Sequence, residues 1–391
     1  MKKSNSVRNC KNLVDGRPGV RLQGDWGHVS VLLGGGHICE LVSNRHDRLN
    51  PLWRPPWKTI EPYEFSPSRH KRAYGPPPEA RVLSGIAGHS LSFDHFGPPS
   101  DEETKAGQST HGEAPVVEWK RQKVSAPEMP SLVYGCTLPE AQIRFRRTIK
   151  IDKQNPVVYC EESALNLGSF DRPISWTEHV TYGPPFLEPG VTMFDIPAVT
   201  SKVAAAKYSP DIALKPDAEF LWPLAPNKAG GNSDLRTTRE GRFENYSAQL
   251  LDRRQEFGFT AACNPRLRLL VVYVFRRSDF PWVGNWEEQY SLAHAPWKNR
   301  TFCRGIEFST TPFAIPRRET VEQNRLFGTV LYRWLYAKSE IKLRFMTLLF
   351  DVPADFAGVS GISVTAENLR VRERGEKARE LVAAIKPFLN V

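Results

Sequence analysis

Two histidines and one glutamate stand in settings that could support proton transfer. His111 lies in Thr110-His111-Gly112-Glu113-Ala114, at a loop-to-strand junction, and a glycine beside a histidine lets the backbone turn sharply or approach a ligand. His179 lies in Ser175-Trp176-Thr177-Glu178-His179-Val180-Thr181. Strand alternation puts Ser175, Thr177, His179 and Thr181 on one polar face, with Trp176, Glu178, Val180 and Tyr182 on the other. Glu307 lies in Arg304-Gly305-Ile306-Glu307-Phe308-Ser309. There Ile306 and Phe308 should point into a core, and Gly305, Glu307 and Ser309 should share the opposite face, with room above the carboxylate. Just upstream, Trp282, Asn285 and Trp286 are followed by Trp297. Indole faces suit the C–H faces of a pyranose, and amide or carboxylate groups suit its hydroxyls. Taken singly, each feature is equally what a surface histidine, a solvated strand face or a packed tryptophan leaves in a sequence.

The elements that must position these residues are strands. Short alternating or apolar runs rich in Val, Ile, Thr, Phe and Tyr span 28–33, 37–42, 115–119, 143–151, 157–165, 174–181, 257–262, 267–275, 328–336 and 341–350, each bounded by Gly, Pro, Asn or Asp. Helical periodicity is confined to the end. In Glu376–Leu389 the apolar residues Ala378, Leu381, Val382, Ile385 and Leu389 fall on one helical face. About 15 or more strands are best satisfied by a sandwich or barrel, so the pattern predicts an all-β chain with a short C-terminal helix, read as one domain over 1–391. Two stretches break the pattern. Residues 50–78 are packed with Pro, Trp, Tyr, Arg and Lys, and residues 97–112 are rich in Gly, Ser and acids and lead into His111. Long ordered loops on β scaffolds are where binding groups tend to sit.

Composition narrows the classes. The chain has 391 residues, 40% of them hydrophobic, enough for a large core. The net charge of +10 is spread along strands, as in Arg144, Arg146, Arg147 and Lys150, with one dense run at His70-Lys71-Arg72. With no zinc-finger or RRM-type motif, this reads as a basic surface rather than a nucleic-acid interface. The six cysteines at 10, 39, 136, 160, 263 and 303 form no Cys-x-x-Cys pair. They read as buried thiols of a reducing compartment. His89, His95 and His111 match no metal-ligand spacing, so no metal and no organic cofactor are expected. No run is long enough to span a membrane, and no apolar segment follows Met1-Lys2-Lys3, so the expectation is a cytoplasmic protein without membrane contact.

Together the segments resemble the aldose 1-epimerase, or galactose mutarotase-like, superfamily, in a divergent branch. The resemblance is carried by Gly34-Gly35-Gly36-His37-Ile38-Cys39-Glu40, Asn50-Pro51-Leu52-Trp53, His111-Gly112-Glu113-Ala114, Glu178-His179-Val180-Thr181-Tyr182-Gly183-Pro184-Pro185-Phe186 and Arg304-Gly305-Ile306-Glu307. Their order matches the family across residues 34–312, most of the chain. The resemblance implies a β-supersandwich of many antiparallel strands with a sugar in a cleft on one face. It further implies two histidines, here His111 and His179, and one late glutamate, here Glu307, as the catalytic groups. The family also holds sugar hydroxyls with an early Arg and a mid-chain Asp. Asn50, Trp53, Arg54 and Arg69 are candidates for the first, and Asn264 or Asn285 for the second. Trp282, Trp286 and Arg304 complete the expected sugar-binding set.

Interconverting anomers requires the C1 hydroxyl to lose a proton while the ring oxygen gains one. A carboxylate and an imidazole on opposite sides of the ring can do both and exchange roles on closure. In that scheme Glu307 is the base at O1, His179 the acid at the ring oxygen, and His111 a donor to the ring oxygen or a neighbouring hydroxyl. Two other readings stay open. Glycoside cleavage would pair Glu307 with Glu287 or Glu288, and a binding protein could keep the fold without the reaction. The basic balance also leaves room for an anionic sugar, such as a phosphorylated or uronic one.

Overall fold

The computed structural model describes residues 6–46, 49–125, 128–208, 211–376 and 378–389. The chain builds two large antiparallel sheets, of 12 and eight strands among the described residues. In the larger sheet, strand Arg172–Tyr182 lies centrally, between His89–Asp94 on one side and Phe302–Ser309 on the other. Beyond Phe302–Ser309 come Trp282–Gln289 and then Phe243–Leu251. The smaller sheet is centred on Glu340–Asp351 and Val157–Asn166.

Alternation explains how the sheets meet. Trp176, Val180, Ile306 and Phe308 from the large sheet pack with Phe145, Ile149, Tyr273 and Phe345 from the small one in a shared core. The aromatic stack at its centre sets Phe308 parallel to Phe275, with ring centroids 4.5 Å apart. Within this core lies a charged knot. Arg147 Nε donates to Glu162, and its Nη2 donates to Glu178 Oε2 at 3.3 Å. Trp176 Nε1 donates to Glu162 at 3.0 Å, and His89 Nε2 lies 2.7 Å from Glu178. Buried charges persist only when paired and hydrogen-bonded. Glu178 therefore occupies the core side of its strand, as alternation requires, while its neighbour His179 faces the opposite way.

Two expectations about elements are corrected. The C-terminal helix expected over Glu376–Leu389 is a strand, Glu380–Ala384, the edge of a three-stranded sheet with Val359–Val364 and Asn368–Glu373. Residue 377 lies outside the described residues. Leu381, Ala383 and Ile385 pack on the outer face of the small sheet. Leu381 and Ile385 satisfy a period of two as well as a helical face, and backbone pairing with Asn368–Glu373 decides between them. The strand expected over 115–119 begins instead as a helical turn, Ala114–Val116, with Pro115 inside it, and only Glu118 pairs, with Gly34. No helix among the described residues is long and apolar enough to cross a membrane.

Candidate functional site

Strand register brings His179 opposite Glu307 on one side and Ser90 on the other. Because both side chains leave the large sheet on the face turned away from the core, they meet. His179 Nε2 and Glu307 Oε1 lie 3.1 Å apart. The pair is not in line for a hydrogen bond, so Oε1 is left buried without one. The other ring nitrogen of His179, Nδ1, lies 3.1 Å from Thr181 Oγ1, two residues along the same strand face. Glu307 Oε2 accepts from the Tyr246 hydroxyl at 3.4 Å. Space for the carboxyl comes from two glycines. A β-carbon on Gly305 would collide with Oε1, and one on Gly284 would overlap the Tyr246 hydroxyl and stand 2.9 Å from Oε2. Of these, Gly305 was noticed in the sequence, and the room it leaves is for the glutamate itself.

His111 arrives from a loop. The backbone is left-handed at His111, with φ 65°, and at Gly112, with φ 79°. At Gly112 a β-carbon would run into the Phe93 carbonyl, so the turn docks tightly on strand His89–Asp94. His111 N–H donates to the Gly97 carbonyl at 2.9 Å, and Phe93 N–H donates to the His111 carbonyl at 3.2 Å. Gly97 N–H donates to His111 Nδ1 at 3.2 Å, which leaves Nε2 to carry the proton of the neutral ring. Phe96 stacks on His111 at 5.3 Å, and the His111 and His179 rings stand edge to face at 5.4 Å.

Burial governs the electrostatics of this group. It pushes the Glu307 carboxyl up to about 8, opposed only by the hydrogen bond from Tyr246. It pushes His179 down to about 4. His111 is likewise held well below the ordinary imidazole value by burial, with His179 and His95 adding to the effect. Desolvation disfavours the charged form of each group, so near neutral pH Glu307 and His179 together hold one proton.

The three residues line a cavity of about 450 Å³, within the range of small-molecule sites, roughly 300–1,000 Å³. Its walls include Val82, Leu83, Leu292, Trp286, Trp297 and Phe313. Of the other residues expected to bind ligand, Trp286 lies here, 5.9 Å from the His179 ring. Trp53 supports the wall from behind, stacked on Trp297 at 6.2 Å. The rest lie elsewhere. Trp282 is fully buried with Ala248, Leu250 and Leu331. Asn285 and Arg304 share the core-facing parity of Ile306, and Arg304 Nε donates to Asn285 Oδ1 at 2.8 Å. The Arg304 guanidinium sits 4.2 Å from the Phe194 ring centroid and also bonds Thr238. Alternation already placed Arg304 beside Ile306 and Phe308; proximity in sequence to Glu307 misled. Asn50 ties its own loop to Cys39, with Nδ2 donating to the carbonyl at 2.9 Å. Arg54 pairs with Glu40 at 2.6 Å in a separate surface hollow. Arg69 lies in the helix Pro67–Tyr74, outside the cavity lining, and Asn264 holds the Phe186 carbonyl at 2.9 Å.

Other assignments shift too. Glu287 takes the Asn245 amide at 3.1 Å, and Glu288 caps the turn at Ser291, so neither carboxylate lines the cavity with Glu307. Tyr246, Phe96, Glu244 and the 313–315 loop line it without having been singled out. For Tyr246 alternation misdirects: grouped with Ala248 and Leu250 against Asn245, Ser247 and Gln249, it reads as a core residue, yet it lines the cavity.

No family model matches the chain, and no curated protein does. Solved structures do. A candidate aldose 1-epimerase from Klebsiella pneumoniae superposes with a TM-score of 0.61 at 14% identity, covering 87% of this chain and 80% of that one. A galactose mutarotase-like protein from Clostridium acetobutylicum gives 0.56 at 13%, covering 88% and 98%. The galactose mutarotase related enzyme from Lactobacillus acidophilus gives 0.52 at 12%, covering 86% and 98%. At such identities the likeness is one of architecture, and across nearly the whole chain that architecture is the galactose mutarotase-like fold.

Proposed function

We propose that the cavity binds a carbohydrate and interconverts its anomers by general acid/base catalysis. The observation that carries this reading is the 3.1 Å approach of His179 Nε2 to Glu307 Oε1 inside a ligand-sized cavity, with His111 beside them. The pair holds one proton near neutral pH. Passing it from carboxyl to imidazole creates a carboxylate base and an imidazolium acid together. Glu307 then takes the proton from the C1 hydroxyl as the C1–O1 double bond forms. The electrons of the bond between C1 and the ring oxygen leave onto that oxygen, which takes the proton from His179. The pair finishes as carboxylic acid and neutral imidazole. Half a turn about C1–C2 presents the other carbonyl face, and the same transfers in reverse close the ring. His111, with its proton on Nε2, donates to the ring oxygen or a neighbouring hydroxyl, and Trp286 offers a face for the sugar C–H groups.

Glycoside cleavage is the weaker reading, because Glu287 and Glu288 are both engaged outside the cavity lining. The test is anomer exchange by NMR with wild type and Glu307→Gln. Exchange accelerated by wild type and lost in the variant supports the proposal. Ligand line-broadening with no exchange for any sugar would leave a carbohydrate-binding protein without the reaction.

A further inference from the structure

The cavity is lined mainly by apolar side chains. Beyond Glu307, His179 and His111, the polar groups along it are the side chains of Glu79, Thr110, Tyr208, Glu244 and Tyr246 and the indole N–H groups of Trp286 and Trp297, of which Trp297 Nε1 has no hydrogen-bond partner. Most are already engaged. Tyr246 donates to the Pro312 carbonyl at 3.2 Å as well as to Glu307. Glu244 accepts from Trp286 Nε1 at 3.0 Å, and Tyr208 donates to Glu319. Glu79 faces His294 at 3.7 Å, with its side chain 45% exposed. The remaining lining is apolar, built chiefly from Val82, Leu83, Ile86, Leu292, Phe313 and Ile315. Among the described residues, no Lys or Arg lines the cavity, while three carboxyl groups do.

An unsubstituted aldohexose brings four hydroxyls in addition to the one at C1. A hydroxyl buried without a partner loses its hydrogen bonds to water and gains none. An apolar group in its place gains by leaving water for the apolar wall. A phosphate or carboxylate would meet the carboxyl groups of Glu244 and Glu79 with no Lys or Arg in the lining to offset them. The arrangement therefore rewards a ligand that is polar at C1 and the ring oxygen and apolar further out.

Resting on the anomer-exchange reading, we propose that the substrate is a neutral sugar with a free C1 hydroxyl and an apolar substituent away from C1, as in a deoxy or O-acylated sugar. The test is NMR exchange and ligand line-broadening for five probes: glucose, 6-deoxyglucose, 6-O-benzoylglucose, glucose 6-phosphate and glucuronate. The expected result is at least tenfold faster exchange, at equal concentration, for a deoxy or benzoyl sugar than for glucose, and none for the two anions. Leu292→Gln, on the half-buried part of the wall, should narrow that preference about tenfold. Faster exchange of glucose or of either anion would overturn the substrate class while leaving the reaction in place. No exchange for any probe, with binding still favouring the substituted sugars, would overturn the reaction and support the ligand class. Neither exchange nor binding for any probe would overturn both.

Discussion

Glu307 lies directly across the sheet from Gly284, and the space that a side chain at Gly284 would fill is occupied by the Tyr246 hydroxyl and approached by the Glu307 carboxyl. The absent methyl group is thus part of the site. Gly284→Ala should displace Tyr246 and Glu307 together, because a β-carbon there would stand 2.9 Å from Glu307 Oε2. We expect exchange to fall at least tenfold, with the loss in kcat rather than KM, while circular dichroism shows the fold retained. Unchanged kcat would mean that Glu307 does not need its present placement.

The rate should depend on pH through the shared proton. With Glu307 held at about 8 and His179 at about 4, the pair carries one proton between those values. Below about 4 both groups are protonated and no base remains; above about 8 neither is, and no acid remains. The profile of kcat/KM should be bell-shaped with its alkaline limb near pH 8. A rate that keeps rising well past pH 8 would contradict the one-proton pair.

Stability should carry the same signature. In the unfolded chain Glu307 titrates near 4.5, whereas the folded chain keeps its proton up to about 8. Over that window the folded state binds the extra proton, so stability falls as pH rises. His179 acts oppositely, its contribution rising until pH passes well above 6.5, but it does so in both proteins and cancels in the comparison with Glu307→Gln. Between pH 6.5 and 8 the wild type should therefore lose about 2 kcal/mol relative to Glu307→Gln, at about 1.4 kcal/mol per pH unit. Denaturant melts across this range check it; parallel curves for the two proteins would refute it.

The Arg147 knot should be needed for folding but not for chemistry. Arg147, Glu162 and Glu178 are all buried. Removing the cation leaves two carboxylates facing each other without it, and breaking a buried ion pair costs about 3–5 kcal/mol. Arg147→Met should lower thermal stability sharply, and adding Glu162→Gln should recover part of the loss. An Arg147→Met protein as stable as wild type would show that the charges are not ionised in the core.

Much of this could be read along the chain. The period of two in 174–181 and 304–309 put His179 and Glu307 on their proper faces before any fold was known, because side-chain direction in a strand is a local property. The same rule puts Arg304 with Ile306, in the core, although its nearness to Glu307 had suggested a sugar contact. The C-terminal strand was misjudged because Leu381 and Ile385 suit both periods, and pairing with Asn368–Glu373 is not written in that segment.

What the sequence determined by itself was the strand content, the outward faces of the central strands and the residue types available for proton transfer. The tertiary structure alone decided which of these meet. Register set His179 against Glu307, the docked turn at Gly112 carried in His111, and the loops around Trp297 and Phe313 closed an apolar wall over them. Alternation is fixed by neighbouring backbone bonds, whereas register and loop docking depend on contacts between residues far apart in the chain, where shape and burial, not local preference, choose the partner.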